Sequence, residues 1–327
     1  MPSRFTAGET FVKLNPTLTD SHNRTMRKLR VSLTDHCNYH CLYCMPAGKK
    51  FERKQNMLRN EEYDHLVGSL IRIGLEEIRV TGGEPCLHPD FIPLMETFSK
   101  HKPLKLGVTT NGQLLEKHLP KLKEFNAIHL NVSLDSLDNG KFHQMTRGGD
   151  LNKVLSTIEK SLELGFQTKI NCVVMGGIND DEINDFISWS ESTGAEVRFL
   201  EYMSVGPEYE TLKSKLVPAD TLIEKISEKF DLIAEKVPKD STSFNYTTKA
   251  GGKVGFIASE TRPFCGDCSR LRLSSTGMLR SCLMKTDGLN IRGKSQKEIE
   301  EILPELISWK PTYRIPFIEQ SMHEIGG

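Results

Sequence analysis

Asp35-His36-Cys37-Asn38-Tyr39-His40-Cys41-Leu42-Tyr43-Cys44 is the stretch on which the reading of this chain turns. Its spacing, C-x3-C-x2-C, brings three thiols out of one short loop. A cluster of four irons ordinarily takes four thiolates. Three would leave one iron without a protein ligand, open to a small molecule. The alternative is a zinc ion with His36 or His40 as fourth ligand, although zinc motifs more often use two paired C-x2-C knuckles. A second group stands far along the chain, where Cys265 and Cys268 are spaced C-x2-C and Cys282 follows. It too offers three thiols. No histidine lies between Cys265 and Cys282, and the nearest later one is His323. A zinc ribbon there would have to recruit Cys86 or Cys172. The other reading is a second cluster with an open iron.

Composition narrows the class. A chain of 327 residues can bury a large core and form one barrel or two domains. Lys plus Arg equals Asp plus Glu at 43 each, so net charge gives no footprint for nucleic acid and anion binding must come from local clusters. Eight cysteines are too sparse for a disulfide scaffold in a chain this long, and their grouping suits a reducing compartment. No apolar run approaches the roughly 18 residues of a membrane span. The first thirty residues carry Glu9 and Asp20 and no hydrophobic segment, which argues against a signal peptide. The expectation is a cytoplasmic protein without membrane contact.

Working outward from the cysteine loop, short apolar runs alternate with amphipathic stretches. Strands are expected at 29–33, 77–81, 104–110, 127–133, 168–174 and 197–202, and helices at 61–73, 91–100, 114–125, 151–164 and 180–193. Six βα steps imply a parallel sheet with right-handed crossovers, rolled into a partial (β/α) barrel. After residue 240 the pattern changes. Residues 244–246 and 253–257 read as a hairpin through Gly251-Gly252, the second cysteine group follows, and 296–309 reads as a last helix. The expected organisation is an arm over 1–25, a barrel over 26–240 and a C-terminal region over 241–327. Chemistry in such barrels gathers at the C-terminal ends of the strands. Cys37, Gly82-Gly83-Glu84-Pro85, Thr109-Thr110-Asn111-Gly112, Ser133 with Asp135, and Met203 each follow or close a strand.

The cysteine loop with an aromatic before its last cysteine, together with Gly82-Gly83-Glu84-Pro85, resembles the radical S-adenosylmethionine (SAM) superfamily. That resemblance independently implies an incomplete (β/α)6 barrel of the triosephosphate isomerase type. It also implies a four-iron, four-sulfur cluster on Cys37, Cys41 and Cys44, whose open iron chelates SAM. Tyr43, Gly83, Ser133 and Met203 are the implied SAM contacts, against plain core packing for Met203. Adding Arg30-Val31-Ser32-Leu33-Thr34-Asp35, the second cysteine group, Arg270-Leu271-Arg272 and the terminal Gly326-Gly327, the chain from about Lys28 onward is similar to the GTP 3′,8-cyclases, which open molybdenum cofactor biosynthesis. This implies a second four-iron cluster on Cys265, Cys268 and Cys282 for the purine of GTP. It assigns the nucleotide to Arg30, Arg79, Thr109, Lys169, Arg270 and Arg272, and counts Arg270, Arg272, Gly326 and Gly327 as catalytic. The implied reaction is removal of the ribose C3′ hydrogen by a 5′-deoxyadenosyl radical, attack of C3′ on purine C8, and reduction to 3′,8-cyclo-7,8-dihydro-GTP. The implied partners are a reductant and the cyclic pyranopterin monophosphate synthase that takes the product; a homodimer is left open.

Physical chemistry supports the arginines separately. Guanidinium forks bind phosphate oxygens bidentately, and Arg270 and Arg272 alternate, so a strand would turn both to one side. The alternative is a solvated strand face. The run Gly288-Leu289-Asn290-Ile291-Arg292-Gly293-Lys294-Ser295 fits the P-loop expression, but polar residues precede it instead of a buried strand, and it reads as coincidence. Cys86-Leu87-His88 after GGEP and Met203-Ser204-Val205-Gly206 depart from the family pattern. Two rivals stand beside this reading: a peptide-modifying radical SAM maturase and a zinc-stabilised nucleotide-binding module.

Overall fold

A computed structural model of the protein describes residues 18–45, 48, 51–125 and 128–325. Residues 1–17 of the expected arm, Ala127 at the start of the fourth expected strand, and Gly326 and Gly327 lie outside the described residues. From residue 18 onward the arm is fastened: Leu18 is buried and its carbonyl accepts from the Met26 N–H.

Six strands follow one another as parallel neighbours: β1 (Lys28–Ser32), β2 (Glu77–Thr81), β3 (Lys105–Thr110), β4 (Ile128–Ser133), β5 (Gln167–Val174) and β6 (Glu196–Glu201). The crossovers carry α1 (Asn60–Ile73), α2 (Phe91–Lys100), α3 (Leu119–Lys123), α4 (Asn139–Thr146) with α5 (Leu151–Glu163), and α6 (Ile183–Thr193). Beyond them lie α7 (Tyr209–Leu212), α8 (Ala219–Ser227), β7 (Leu232–Ala234), β8 (Phe244–Thr248), β9 (Lys253–Ile257), β10 (Arg270–Leu273), β11 (Met278–Arg280), β12 (Leu289–Asn290), α9 (Gln296–Ser308) and α10 (Met322–Ile325). This is the incomplete (β/α)6 barrel, lengthened at both edges. β9 pairs parallel to β6 and β10 parallel to β1, so the chain after residue 240 extends the same sheet.

The helices form where apolar residues recur at helical spacing and a side chain closes the first turn. In α5, Leu151, Val154 and Ile158 are buried on one face and Asp150 accepts from the Lys153 N–H. In α9, Ser295 and Glu298 make a reciprocal capping box. Two expectations are corrected. The helix expected over 114–125 is one turn of tight helix (Glu116–His118) followed by the short α3, because Pro120 can only begin a helix. The segment 180–193 becomes helical only at Ile183.

The two faces of the parallel strands differ. Leu29, Val31, Ile78, Val80, Leu106, Val108, Leu130, Val132, Ile170, Cys172, Val197 and Phe199 are buried in the core beneath the helices. Their alternating neighbours Arg30, Arg79, Thr109, Asn131, Lys169 and Arg198 line the lumen. Barrels of this type ordinarily fill the interior with bulky apolar side chains. Polar side chains on this face, with the small Gly107 beside Arg79, leave instead a cavity of about 620 Å³.

Because β9 and β10 sit at opposite ends of the parallel run, backbone pairing does not close the barrel between them. Three segments cross that seam. One is the β9–β10 connection, with Phe264, Cys265 and Cys268. The second is the β7–β8 loop, whose Asp240 accepts from Arg27 (2.9 Å), Lys28 (2.9 Å) and Ser269 (2.6 Å). The third runs from Lys310, bonded to the Arg270 carbonyl, to Ile318, bridged to Val205.

Candidate active site

The first cysteine loop is held at the C-terminal ends of the strands by the backbone of the glycine pair. Gly83 N–H donates to the Thr34 carbonyl and Glu84 N–H to the His36 carbonyl, both at 2.7 Å. A side chain at Gly83 would run into the His36 backbone, so glycine is required for this close approach. Glu84 is fully buried and joins the ends of β2 and β3, accepting from Cys86 N–H (3.0 Å), the Thr110 hydroxyl (2.8 Å) and Asn111 N–H (2.8 Å). Asn111 donates to Asn38 (2.8 Å) and toward the Cys37 sulfur (3.8 Å). The Tyr43 hydroxyl donates to Asp135 at 2.6 Å, and Asp135 also accepts from the Val173 N–H. Burial pushes the Asp135 carboxyl up to about 6. Burial also pushes the Cys37 thiol up to about 11 and the Cys41 thiol well above its ordinary range.

The second group lies at the other end of the lumen. Cys265 and Cys268 precede β10, whose register sets Arg270 opposite Lys28 at the start of β1. Cys282 follows the antiparallel return along β11. The five residues of β1 therefore stand between the two cysteine groups, roughly 16 Å at 3.3 Å per residue. Both groups line the same cavity. Burial opposes ionisation of Cys268, but the charges of Arg270 and Lys310 outweigh it and bring its thiol down to about 6. Arg270 donates to the Cys268 sulfur at 3.3 Å and lies over the Phe264 ring, 4.9 Å from its centroid.

Between the groups the strand register builds a row of cations. Arg272 pairs with Arg30, Arg30 with Arg79, and Arg79 with Gly107. Three guanidiniums therefore sit side by side on β10, β1 and β2. Burial first, and then the charges of Arg272, Arg270 and Arg79, push the Arg30 guanidinium well below the ordinary arginine range. Burial brings Arg79 and Arg272 down to about 10, with Arg198 adding to the effect at Arg79 and Arg270 at Arg272. Arg79 Nη1, Asn171 Oδ1 and Ser259 Oγ are buried on the cavity wall without a hydrogen-bond partner among the described residues. Crowded, at least half-buried cations and unpaired polar atoms are costly unless a ligand answers them, so this lumen fits a polyanion. A Cβ at Gly107 would stand 3.0 Å from the Arg79 guanidinium carbon, so glycine there makes room for the cation.

Every expected site residue that the structure describes lines this cavity: Cys37, Cys41, Cys44, Tyr43, Gly83, Ser133, Met203, Arg30, Arg79, Thr109, Lys169, Arg270, Arg272, Cys265, Cys268 and Cys282. Lys169 does so in an ion pair with Glu196 at 2.7 Å, and Glu196 also takes Arg198 at 2.7 Å. Sequence reasoning missed Arg198, His129, Lys310 and Arg314, which share the wall; the alternation of polar and apolar residues in β4 and β6 is the signal that marks the first two. Gly326 and Gly327 lie outside the described residues, but Met322, four residues earlier, lines the cavity. The P-loop lookalike stands elsewhere. Ser295 caps α9, and Lys294 lies beside Glu61, Glu62 and Glu298, which would repel phosphate. Among the described residues no three His, Cys, Asp or Glu side chains converge on a point for one ion. A cluster asks for less, since each thiolate takes its own iron.

Residues 31–190 match the Radical SAM superfamily and residues 195–314 match Molybdenum Cofactor Synthesis C. A GTP 3′,8-cyclase of Synechocystis sp. is 44% identical over 319 residues, covering 98% of each chain. The chain belongs to the GTP 3′,8-cyclase family. Another member, from Aquifex aeolicus, is 37% identical over 86% of this chain and 89% of its own. Human molybdenum cofactor biosynthesis protein 1 is 36% identical over 90% of this chain and 48% of its own. The cyclase family's fold recurs in Streptococcus suis SuiB bound to its precursor peptide, with a TM-score of 0.68 at 16% identity over 88% of this chain and 68% of that one. At that identity the likeness extends to the fold alone. Membership in this superfamily brings with it an iron–sulfur cluster and SAM. No helix among the described residues is long and apolar enough to cross a membrane.

Proposed function

We propose that the protein cyclises GTP to 3′,8-cyclo-7,8-dihydro-GTP by radical SAM chemistry, the first step of molybdenum cofactor biosynthesis. The observation that carries this reading is a row of arginines, Arg272 buried and its neighbours half-buried, set between two groups of three thiols in one cavity. Cys37, Cys41 and Cys44 would hold one four-iron cluster at the strand ends, and Cys265, Cys268 and Cys282 a second at the opposite end. These groups, with SAM, supply the one-electron chemistry that generates and quenches a carbon radical.

The chain's own part is placement. Arg30, Arg79, Arg270 and Arg272 receive the triphosphate, and Thr109 and Lys169 complete its surroundings. Lys169 does so by exchanging its ion pair with Glu196 for a phosphate oxygen. Gly83, Ser133, Met203 and Tyr43 bound the SAM side. Asp135 fixes the Tyr43 ring through the 2.6 Å hydrogen bond. Holding the ribose between the two ends converts a bimolecular encounter into an oriented one, worth up to about 7–11 kcal/mol of barrier. The buried walls keep water from the radical. A reductant and a synthase that consumes the cyclised product are the partners this chemistry requires. The deciding experiment is anaerobic reconstitution followed by SAM, dithionite and GTP. Formation of 5′-deoxyadenosine together with the cyclised nucleotide is expected; 5′-deoxyadenosine formed at the same rate without any change in GTP would overturn the assignment.

A further inference from the structure

We infer that Lys310 is the positioning residue of the second cysteine group, tying the strand behind Cys268 to the turn before Cys282 and placing a fixed positive charge beside the sulfurs. The inference rests on the two-cluster reading above. Cys265 and Cys268 arrive on the β9–β10 connection, whereas Cys282 arrives after β11. Two separate segments must be held at one spacing for a cluster to bridge them. The Lys310 ammonium donates to the Arg270 carbonyl at 2.7 Å and to the Ser281 carbonyl at 2.6 Å. Those carbonyls belong to the residues two after Cys268 and one before Cys282. Arg24 backs it: one guanidinium nitrogen donates to the Lys310 carbonyl at 2.8 Å, and another to the Cys265 and Pro311 carbonyls at 2.7 Å each. Both cysteine-bearing segments are thus bonded to the Arg24–Lys310 couple.

The charges decide what this couple is for. Asp20 answers Arg24 at 2.6 Å. Lys310 is 5% exposed, and no carboxylate pairs with it among the described residues. Its ammonium is met instead by the two neutral carbonyls and the Cys268 sulfur, so the negative partner that burial demands comes from the cysteine group itself. Lys310 lies on the cavity wall with Cys268 and Cys282. A thiolate-ligated cluster would supply that charge from all three cysteines, and nearby charge in turn sets its reduction potential.

The test uses the full chain, reconstituted anaerobically, with iron counting and potentiometric titration. The unsubstituted protein should hold about eight irons, four per cluster. In Lys310→Met, iron should fall by about half. The remaining cluster should still cleave SAM, which shows that the barrel has folded. Any second cluster that does assemble should be reduced at a potential lower by at least a tenfold change in the reduced-to-oxidised ratio, about 59 mV for one electron. Lys310→Arg, which keeps donors and charge, should retain iron and potential. Full iron with an unshifted potential in Lys310→Met, or loss of the second cluster in Lys310→Arg, would overturn the inference. Only four irons in the unsubstituted protein would instead overturn the two-cluster reading, and the role of Lys310 with it.

Discussion

Arg30, Arg79 and Arg272 stand together only because three strands are in register, and their crowding is costly without an anion. Arg272→Ala should therefore weaken GTP by about 1.5–3 kcal/mol, the worth of a hydrogen bond to a charged group. Guanosine should lose little. Calorimetry with both ligands checks this, and an equal loss for the two would remove Arg272 from the phosphates. Lys294→Ala should leave GTP affinity unchanged, since Lys294 lies outside the lumen among carboxylates. Cys44→Ala should abolish 5′-deoxyadenosine formation, because two thiolates do not hold the cluster with an open iron; near-normal SAM cleavage would contradict the assignment of the loop. The cysteine loop and Gly82-Gly83-Glu84-Pro85 were legible from sequence because their spacing is local. The pairing of Arg272 with Arg30 was not, since it joins residues far apart in the chain. The Lys169 ion pair was hidden for the same reason: Glu196 comes from the next strand.

At the scale of elements, the periodic pattern located β1 to β6 and the major helices because each buries one regular face. It failed where elements are short or polar. Helix α4 offers only Phe142 and Met145 as buried large apolar residues, and β11 and β12 hold three residues and two. The tail is another element without a pattern. Val205, Met284, Ile318 and Ile325 form a small core that seats α10 over the second cysteine group, with Cys282 and Met322 packed against it. Deleting Gly326 and Gly327, which follow that anchored helix, should leave both clusters and SAM cleavage intact. Cyclised product per 5′-deoxyadenosine should fall at least tenfold, about 1.4 kcal/mol in the barrier. A truncated protein with the full yield would show the glycines to be a bystander end.

For the molecule as a whole, the sequence implied a barrel but could not show how its edges meet, because seam contacts link loops and termini. Asp240 is the clearest of these contacts. Burial alone would raise its carboxyl, but the Ser269 hydroxyl and the charges of Lys28 and Arg27 bring it down to about 2. A carboxylate depressed in the fold adds stability that is complete above its ordinary value near 4 and is lost as pH falls toward 2. Asp240→Asn should lower stability at neutral pH and flatten the acid limb of a denaturation series between about pH 4 and 2. An acid limb of unchanged steepness would mean that the Asp240 contacts do not survive in solution.

The same seam has a consequence for how the barrel responds to its medium. Most of its wall is joined by backbone hydrogen bonds, which are indifferent to salt. The join through Asp240 is electrostatic, and Arg27 there is 43% exposed. Raising ionic strength toward 1 M shortens the screening length from about 8 Å to about 3 Å. Amide exchange along the β7–β8 loop should then quicken while that of β2 to β5 stays level, so that the lumen opens to solvent from one side and not from all round.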